Sequence, residues 1–358
     1  MHYSRRPDGD TARFRSGPPE RSDVTRPQTH PPVPPPKIGV LLMNLGTPDA
    51  PDVASVRRYL AEFLSDPRVI EIPPIAWQPI LRGLVLRTRP RKSAHAYGLV
   101  WTEHGSPLAR FTRGKAEALR DAFGPEVLVD WAMRYGRPSI AERLTALKDA
   151  GCERILLAPM YPQYCAATTA TANDKAFAVL SRMRWQPALR TLPPYHDDPA
   201  YIEALQQSIE RHLATLDHQP ELILASFHGM PERTLHLGDP YHCHCRKTAR
   251  LLSAALGREV RVSFQSRFGR AKWLDPATDE MLAALPRQGV TSVAVIAPGF
   301  SADCLETLEE LAIRGRETFV EAGGAEFSYV PCLNDGEEAL ALYRTLLARE
   351  LAGWVTPA

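Results

Sequence analysis

Leu222-Ile223-Leu224-Ala225-Ser226-Phe227-His228-Gly229-Met230-Pro231 decides how this chain folds. Leu222 to Ala225 is an apolar run without polar alternation, the pattern of a parallel strand buried on both faces. Gly229 and Pro231 end it, so His228 emerges at the strand's carboxyl end. Val293-Ala294-Val295-Ile296-Ala297 is a second such run, and it leads into Gly299-Phe300-Ser301-Ala302-Asp303-Cys304-Leu305-Glu306-Thr307-Leu308-Glu309-Glu310. Val40-Leu41-Leu42-Met43 and Ile155-Leu156-Leu157-Ala158 read the same way. Helical spacing separates them, as in Ser139 to Ala150 (Ile140, Leu144, Leu147) and Pro276 to Leu285 (Met281, Leu282, Leu285). Strands alternating with helices predict an α/β fold with parallel sheets.

A weak internal repeat divides the fold. Gly151 to Tyr161 parallels Gly289 to Phe300, and the strand ending at Asn44-Leu45-Gly46 parallels the one ending at Phe227-His228-Gly229. Two similar Rossmann-like lobes are expected, 37–195 and 196–334, with a cleft between them. The turn-rich stretch Pro193 to Pro199 marks the boundary. Residues 335–358 are expected to supply a last helix carrying Leu340, Tyr343, Leu347 and Leu351, with Asn334 or Asp335 as N-cap. Residues 1–36 hold nine prolines and six arginines without apolar periodicity, and read as a disordered tail. The tail has neither the apolar segment of a secretory signal nor the acid-poor composition of a transit helix.

Composition narrows the function classes. The 358 residues carry a formal charge of +2, from 43 basic and 41 acidic side chains, which argues against a nucleic-acid partner. No apolar stretch reaches the ~18 residues of a membrane span. Six cysteines without an export signal predict reduced thiols and a cytoplasmic location. In open α/β sheets ligands bind at the carboxyl ends of strands, so His228 and Glu306 face the expected cleft. An imidazole and a carboxylate there can bind a divalent metal or move a proton, and Glu310, one helical turn on, extends the acidic surface.

The chain also resembles the ferrochelatases. The resemblance rests on Ser226 to Pro231, Gly238-Asp239-Pro240-Tyr241, Phe264-Gln265-Ser266-Arg267-Phe268-Gly269 with Trp273, and the Asp303 to Glu310 turn. Asn44-Leu45-Gly46-Thr47-Pro48, Gly105-Ser106-Pro107-Leu108 and Tyr161-Pro162-Gln163-Tyr164 extend it from about Ile38 to about Leu351. It implies a class II chelatase-like fold and the last step of heme synthesis, insertion of Fe2+ into protoporphyrin IX. A coproporphyrin III ferrochelatase and a non-catalytic heme or porphyrin carrier on the same scaffold are the alternatives; a carrier needs the pocket but not the proton acceptor.

Metal insertion needs a loose metal site, since a protein cage that held iron tightly would not surrender it to four pyrrole nitrogens. One imidazole plus a carboxylate meets that need. The expected metal set is His228, Glu306, Glu310 and Asp303, with His228 and Glu306 catalytic. An imidazole titrates near neutrality, so His228 can serve as ligand or as base, and the sequence is compatible with both. By resemblance, Leu45 lies against the macrocycle, Tyr97, Arg134 and Tyr135 belong to the pocket, and Arg89, Lys92, Ser106 and Ser266 meet the propionates. Trp273 and Phe264 suit either the pocket or the core. Cys304 stands where the animal enzymes have a histidine, so the resemblance implies no further imidazole there and leaves Asp303, Glu306 and Glu310 as the acidic set.

Tyr241-His242-Cys243-His244-Cys245 looks metal-binding, but its Cys-x-Cys lacks a second pair at zinc-site spacing. An iron–sulfur cluster needs four ligands. No Cys follows Cys332, and Ala204 stands where the animal pattern has its fourth ligand, so no tightly bound cofactor is expected and Fe2+ is substrate. Residues 64–92, rich in Ile and Leu and ending in Arg87-Thr88-Arg89-Pro90-Arg91-Lys92, read either as an amphipathic core helix or, by resemblance, as an apolar lip at the cleft mouth. Basic residues beside apolar ones there suit weak contact with an anionic membrane surface.

Overall fold

The structure, a computed structural model, describes residues 36–269 and 271–355. Except for Pro36, the expected tail lies outside the described residues. Two four-stranded sheets form the framework. The first contains β1 (Lys37–Thr47), β2 (Val127–Gly136), β3 (Cys152–Pro159) and β4 (Ala188–Thr191), in the order β2-β1-β3-β4. The second contains β5 (Leu222–His228), β6 (Val260–Gln265), β7 (Ser292–Ile296) and β8 (Glu326–Tyr329), in the order β6-β5-β7-β8. Every pairing is parallel. The two orders are the same permutation, the three-dimensional form of the sequence repeat.

The unalternated apolar runs form these strands because both of their faces are covered. Val40 to Met43 and Val293 to Val295 are fully buried. Each Val, Leu and Met side chain among them contributes about 1.5–3 kcal/mol relative to leaving it in water. The helix Ile140–Asp149 follows from local rules, with Ser139 and Glu142 forming a reciprocal capping box and Ile140, Leu144 and Leu147 on its buried face.

The last helix, Glu337–Leu351, starts later than expected. Gly336 is its N-cap, and neither Asn334 nor Asp335 takes that role. Asn334 serves another turn: its Nδ2 donates to Asp303 at 2.7 Å, its Oδ1 accepts from the Asp303 amide at 2.8 Å, and its φ is 51°. The buried stripe runs through Leu342, Tyr343, Leu346, Leu347 and Leu351, and leaves Leu340 only partly covered. This helix packs on the Pro107–Phe123 helix and β3 of the first sheet and on the Pro199–Leu213 helix.

One apolar core runs through both sheets, joining Val40, Leu42 and Leu119 to Phe227, Leu252 and Leu346. Polar contacts also cross the junction. Gln163 donates to Thr248 at 3.1 Å, and the Ala166 amide donates to Asp239 at 2.8 Å. Fully buried Lys115 sends its Nζ to the Ser301 carbonyl at 2.7 Å.

Burial pulls the Lys115 ammonium down from its usual 10.5 to about 7, against the weaker upward pull of Cys332, Asp335 and Asp303. The unfolded chain, titrating normally, binds more protons between these values, so stability rises with pH in that window. The cost of burying the charge is therefore fully present below about pH 7 and relieved towards about pH 10. Lys115→Met never carries this cost. Its stability relative to the native chain should fall steadily across that range in urea unfolding, and a difference independent of pH would refute the assignment.

Pro74 to Val100 is one continuous helical stretch: Pro74–Ile80, a π-helical turn Leu81–Val85, then Leu86–Val100. One side of it packs inward and the other carries exposed apolar side chains. Leu81, Ala94 and Tyr97 pack on Val56, Tyr59 and Leu60, and Val100 is buried. Ile75 is 88 % exposed and Leu84 60 %, with Ile72 and Ile80 also turned outward.

Candidate functional site

β5 ends at His228, and the next residue has to be glycine. A Cβ on Gly229 would lie 2.5 Å from the Gln265 carbonyl oxygen, which accepts the Gly229 amide at 2.7 Å. The His228 Nδ1 lies 2.7 Å from the Gly229 carbonyl oxygen. A carbonyl only accepts, so Nδ1 carries a proton and Nε2 is the nitrogen left to gain or lose one.

Gln265, at the end of β6, binds three elements together. Its backbone carbonyl holds Gly229, its Oε1 accepts from Ser226 Oγ at 2.8 Å, and its Nε2 donates to the Glu306 carbonyl at 2.8 Å. Glu306 is thereby fixed to the strand end that carries His228. It opens the π-helix Glu306–Gly315, a wide helical form found disproportionately at functional sites. Tyr97, on the helix Leu86–Val100 that contacts this π-helix, lies close to it: burial pushes the Tyr97 hydroxyl well above its usual value, and the Glu306 charge adds to the shift. The Cys304 thiol is likewise pushed up, first by burial and then by Glu306, so it stays protonated.

The other expected metal-facing carboxylates are engaged elsewhere. Asp303, 4 % exposed, accepts from Thr307 Oγ1 (3.0 Å), Tyr329 OH (2.6 Å) and Asn334 Nδ2 (2.7 Å), so both of its oxygens are occupied. Glu310 accepts the Ser266 amide at 2.7 Å and the Ser266 hydroxyl at 2.5 Å. Ser266, expected at a propionate, is thus paired with Glu310. Its φ of 62° turns its amide and hydroxyl towards the π-helix, a geometry that linear spacing cannot reveal. Among the described residues no group of three or more His, Cys, Asp or Glu is arranged to hold a metal ion, so the four expected ligands do not converge.

Arg134 and Tyr135 join a buried network centred on Asp66. Asp66 accepts from Arg134 Nη2, from Thr171 Oγ1, from Tyr135 OH at 2.8 Å and from the Arg68 amide at 2.8 Å. Tyr135 is fully buried, and its ring meets Phe63 edge-on at 5.1 Å. Both residues are therefore held in this network.

Ser106 is the N-cap of the Pro107–Phe123 helix, and its side chain caps no backbone amide. Leu45 is partly exposed near the end of β1, while Arg89 and Lys92 are exposed on the helix Leu86–Val100. Trp273 is nearly buried and Phe264 fully so, which assigns Phe264 to the core. A cavity of about 560 Å³ lies between the 266–273 turn and the π-helix, lined by Ser266, Trp273, Glu310, Arg314 and Thr318 among others.

The Tyr241 to Cys245 motif lies at the start of the helix Tyr241–Leu256. Tyr241 OH donates to the His228 carbonyl at 3.0 Å, and Cys245 is in the core. His244 Nδ1 accepts the Tyr164 amide at 3.2 Å, and its ring stacks on His196 at 3.6 Å. Cys243 is exposed, and all six thiols are free. Asp66 and Lys115 carried no signal in sequence reasoning; Gln265 lay within a recognised motif, but its role follows only from the pairing of β5 with β6.

Comparison with known proteins identifies the family of the chain. The ferrochelatase family model matches residues 37–351. The ferrochelatase of Rhizobium meliloti (strain 1021) is 58 % identical over 333 residues, covering 91 % of this chain and 98 % of the relative. That of Mesorhizobium japonicum (strain LMG 29417 / CECT 9101 / MAFF 303099) is 52 % identical over 329 residues, covering 89 % and 92 %. Among solved structures, SirB from Bacillus subtilis with Fe3+ superposes with a TM-score of 0.55 at 14 % identity, covering 89 % of this chain and 97 % of that one, a likeness of fold.

Proposed function

Because the chain belongs to the ferrochelatase family, we propose that it inserts ferrous iron into protoporphyrin IX to give protoheme, with His228 and Glu306 flanking the reacting nitrogens. Two pyrrole N–H bonds break, four iron–nitrogen bonds form, and two protons leave. His228 accepts a proton at Nε2, the nitrogen that the Gly229 carbonyl leaves free. Glu306 offers its carboxylate to the incoming ion or to the second proton. The observation that carries this reading is the Gln265 bracket, which ties the His228 strand end to the first residue of the π-helix.

Leu45 and Tyr97 are proposed to lie against the macrocycle. The acid groups go to Arg89 and Lys92 on the lip and to Ser106, where a helix N-terminus favours an anion. Trp273 belongs to the wall behind them. Arg134, Tyr135 and Asp303 are assigned to scaffolding by the partners they already hold. Glu310 is placed on the route by which metal approaches, where it must first leave Ser266. Iron and porphyrin are substrates, and the step calls for no resident cofactor. Among the described residues no helix is long and apolar enough to cross a membrane. The exposed Ile75 and Leu84 suit peripheral contact with an anionic bilayer from the cytoplasm.

An anaerobic assay with ferrous iron tests the reading. Protoporphyrin IX should be metallated faster than coproporphyrin III, and anionic vesicles should raise the protoporphyrin rate in the native chain but not in Ile75→Asp. Faster turnover of coproporphyrin would reassign the substrate, absence of insertion into either would sink the enzyme reading, and equal vesicle effects would remove the lip contact.

A further inference from the structure

The turn after β6 carries Phe268, to which the proposed insertion step assigns no part. Phe268 is 42 % exposed, and the guanidinium carbon of Arg89 lies 5.4 Å from its ring centroid. The turn beneath it is fastened on three sides. Ser266 is held by Glu310, Arg267 pairs with Asp279 and Glu280 at 2.9 Å each, and Trp273 Nε1 donates to the Phe268 carbonyl at 3.0 Å. The Trp273 ring supports that of Phe268 at 4.9 Å. An aromatic platform on a fixed backbone is therefore set opposite the lip helix.

A ring face restrains a guanidinium without spending its donors. A carboxylate partner would occupy the in-plane N–H groups that a ligand needs, whereas a ring face attracts the cation and leaves all five available. Arginine also has many rotamers, and fixing it beforehand lowers what binding must pay in order. We propose that Phe268 is a positioning residue that holds Arg89 extended at the cleft edge, ready for an acid group of the porphyrin. The inference rests on the reading of Arg89 as a propionate partner.

The test is steady-state insertion into a dicarboxylic porphyrin and into its dimethyl ester, by Phe268→Leu, Phe268→Trp, Arg89→Met and the Phe268→Leu/Arg89→Met pair. Phe268→Leu should raise the KM for the diacid about two- to fivefold, the equivalent of one exposed cation–π contact, with a much smaller change in kcat. The ester's KM should not move, Phe268→Trp should retain the native value, and Phe268→Leu should add nothing once Arg89 is Met. An unchanged diacid KM in Phe268→Leu overturns the proposal, as does an equal rise for the ester or a full effect in the Arg89→Met background. If Arg89→Met itself leaves the diacid KM unchanged, the propionate reading of Arg89 has failed and Phe268 has nothing to position. A raised KM in Arg89→Met beside a native one in Phe268→Leu removes this inference alone.

Discussion

Iron insertion by His228→Ala should fall by about 10²- to 10⁴-fold in kcat, the range expected when a positioned acid–base group is lost, while the protein still binds porphyrin. The two effects separate because they have different physical sources. Macrocycle affinity comes mainly from burial of apolar surface, to which one imidazole adds little. Proton removal depends on a nitrogen that is both free and aimed, and the Nδ1 contact to the Gly229 carbonyl fixes which nitrogen that is. The substitution leaves the Gly229 to Gln265 bond in place, so the strand end should keep its shape. Anaerobic turnover at saturating iron, read beside quenching of protein fluorescence by porphyrin, checks both halves. More than about a tenth of native turnover would assign the proton to another group, since even the lower bound is a hundredfold loss.

The largest effect on stability is expected at Asp66, far from the reacting atoms. Asp66→Ala leaves the Arg134 guanidinium largely buried without its counter-charge and removes the acceptor shared by Tyr135 and Thr171. Breaking a buried pair from one side costs about 3–5 kcal/mol, out of a total that is about 5–15 kcal/mol for a typical domain. The urea midpoint should drop accordingly with little change in slope. Burial alone would raise the Asp66 carboxyl, but bonds from Thr171, the Arg68 amide and Tyr135, with the Arg134 charge, outweigh it and hold the carboxyl below its usual value. Its contribution is thus present above about pH 4, the unfolded carboxylate range, and is lost as pH falls through the lower folded value. An unfolding free energy within about 0.5 kcal/mol of native, the usual range for surface changes, would show that the network is replaceable.

What could be read from the sequence was whatever local pattern controls. Strand runs such as Leu222 to Ala225 announce themselves because both faces are covered, and the capping box at Ser139 is written in four adjacent residues. The repeat of the two lobes was visible for the same reason, whereas their shared strand order emerges only in the structure. The partners of Asp66 were invisible, since Arg134, Tyr135 and Thr171 lie 68 to 105 positions away and no periodicity links them. The pairing of Glu310 with Ser266 was hidden for a different reason. It depends on one backbone angle at Ser266, which brings the turn after β6 against the π-helix. The continuous core of the two lobes likewise follows from packing of the last helix across both, which no segment read alone can show.

The matching strand orders place Leu45, at the end of β1, in the position that His228 occupies at the end of β5. Corresponding positions of the repeat thus hold a hydrocarbon in one half and an imidazole in the other. On the proposed function, a planar guest between these two strand ends would meet unlike chemistry on its two faces, with His228 on one side of the ring only. For a macrocycle whose two faces are mirror images, such a pocket would be a chiral environment, one that distinguishes the faces of a molecule without a stereocentre.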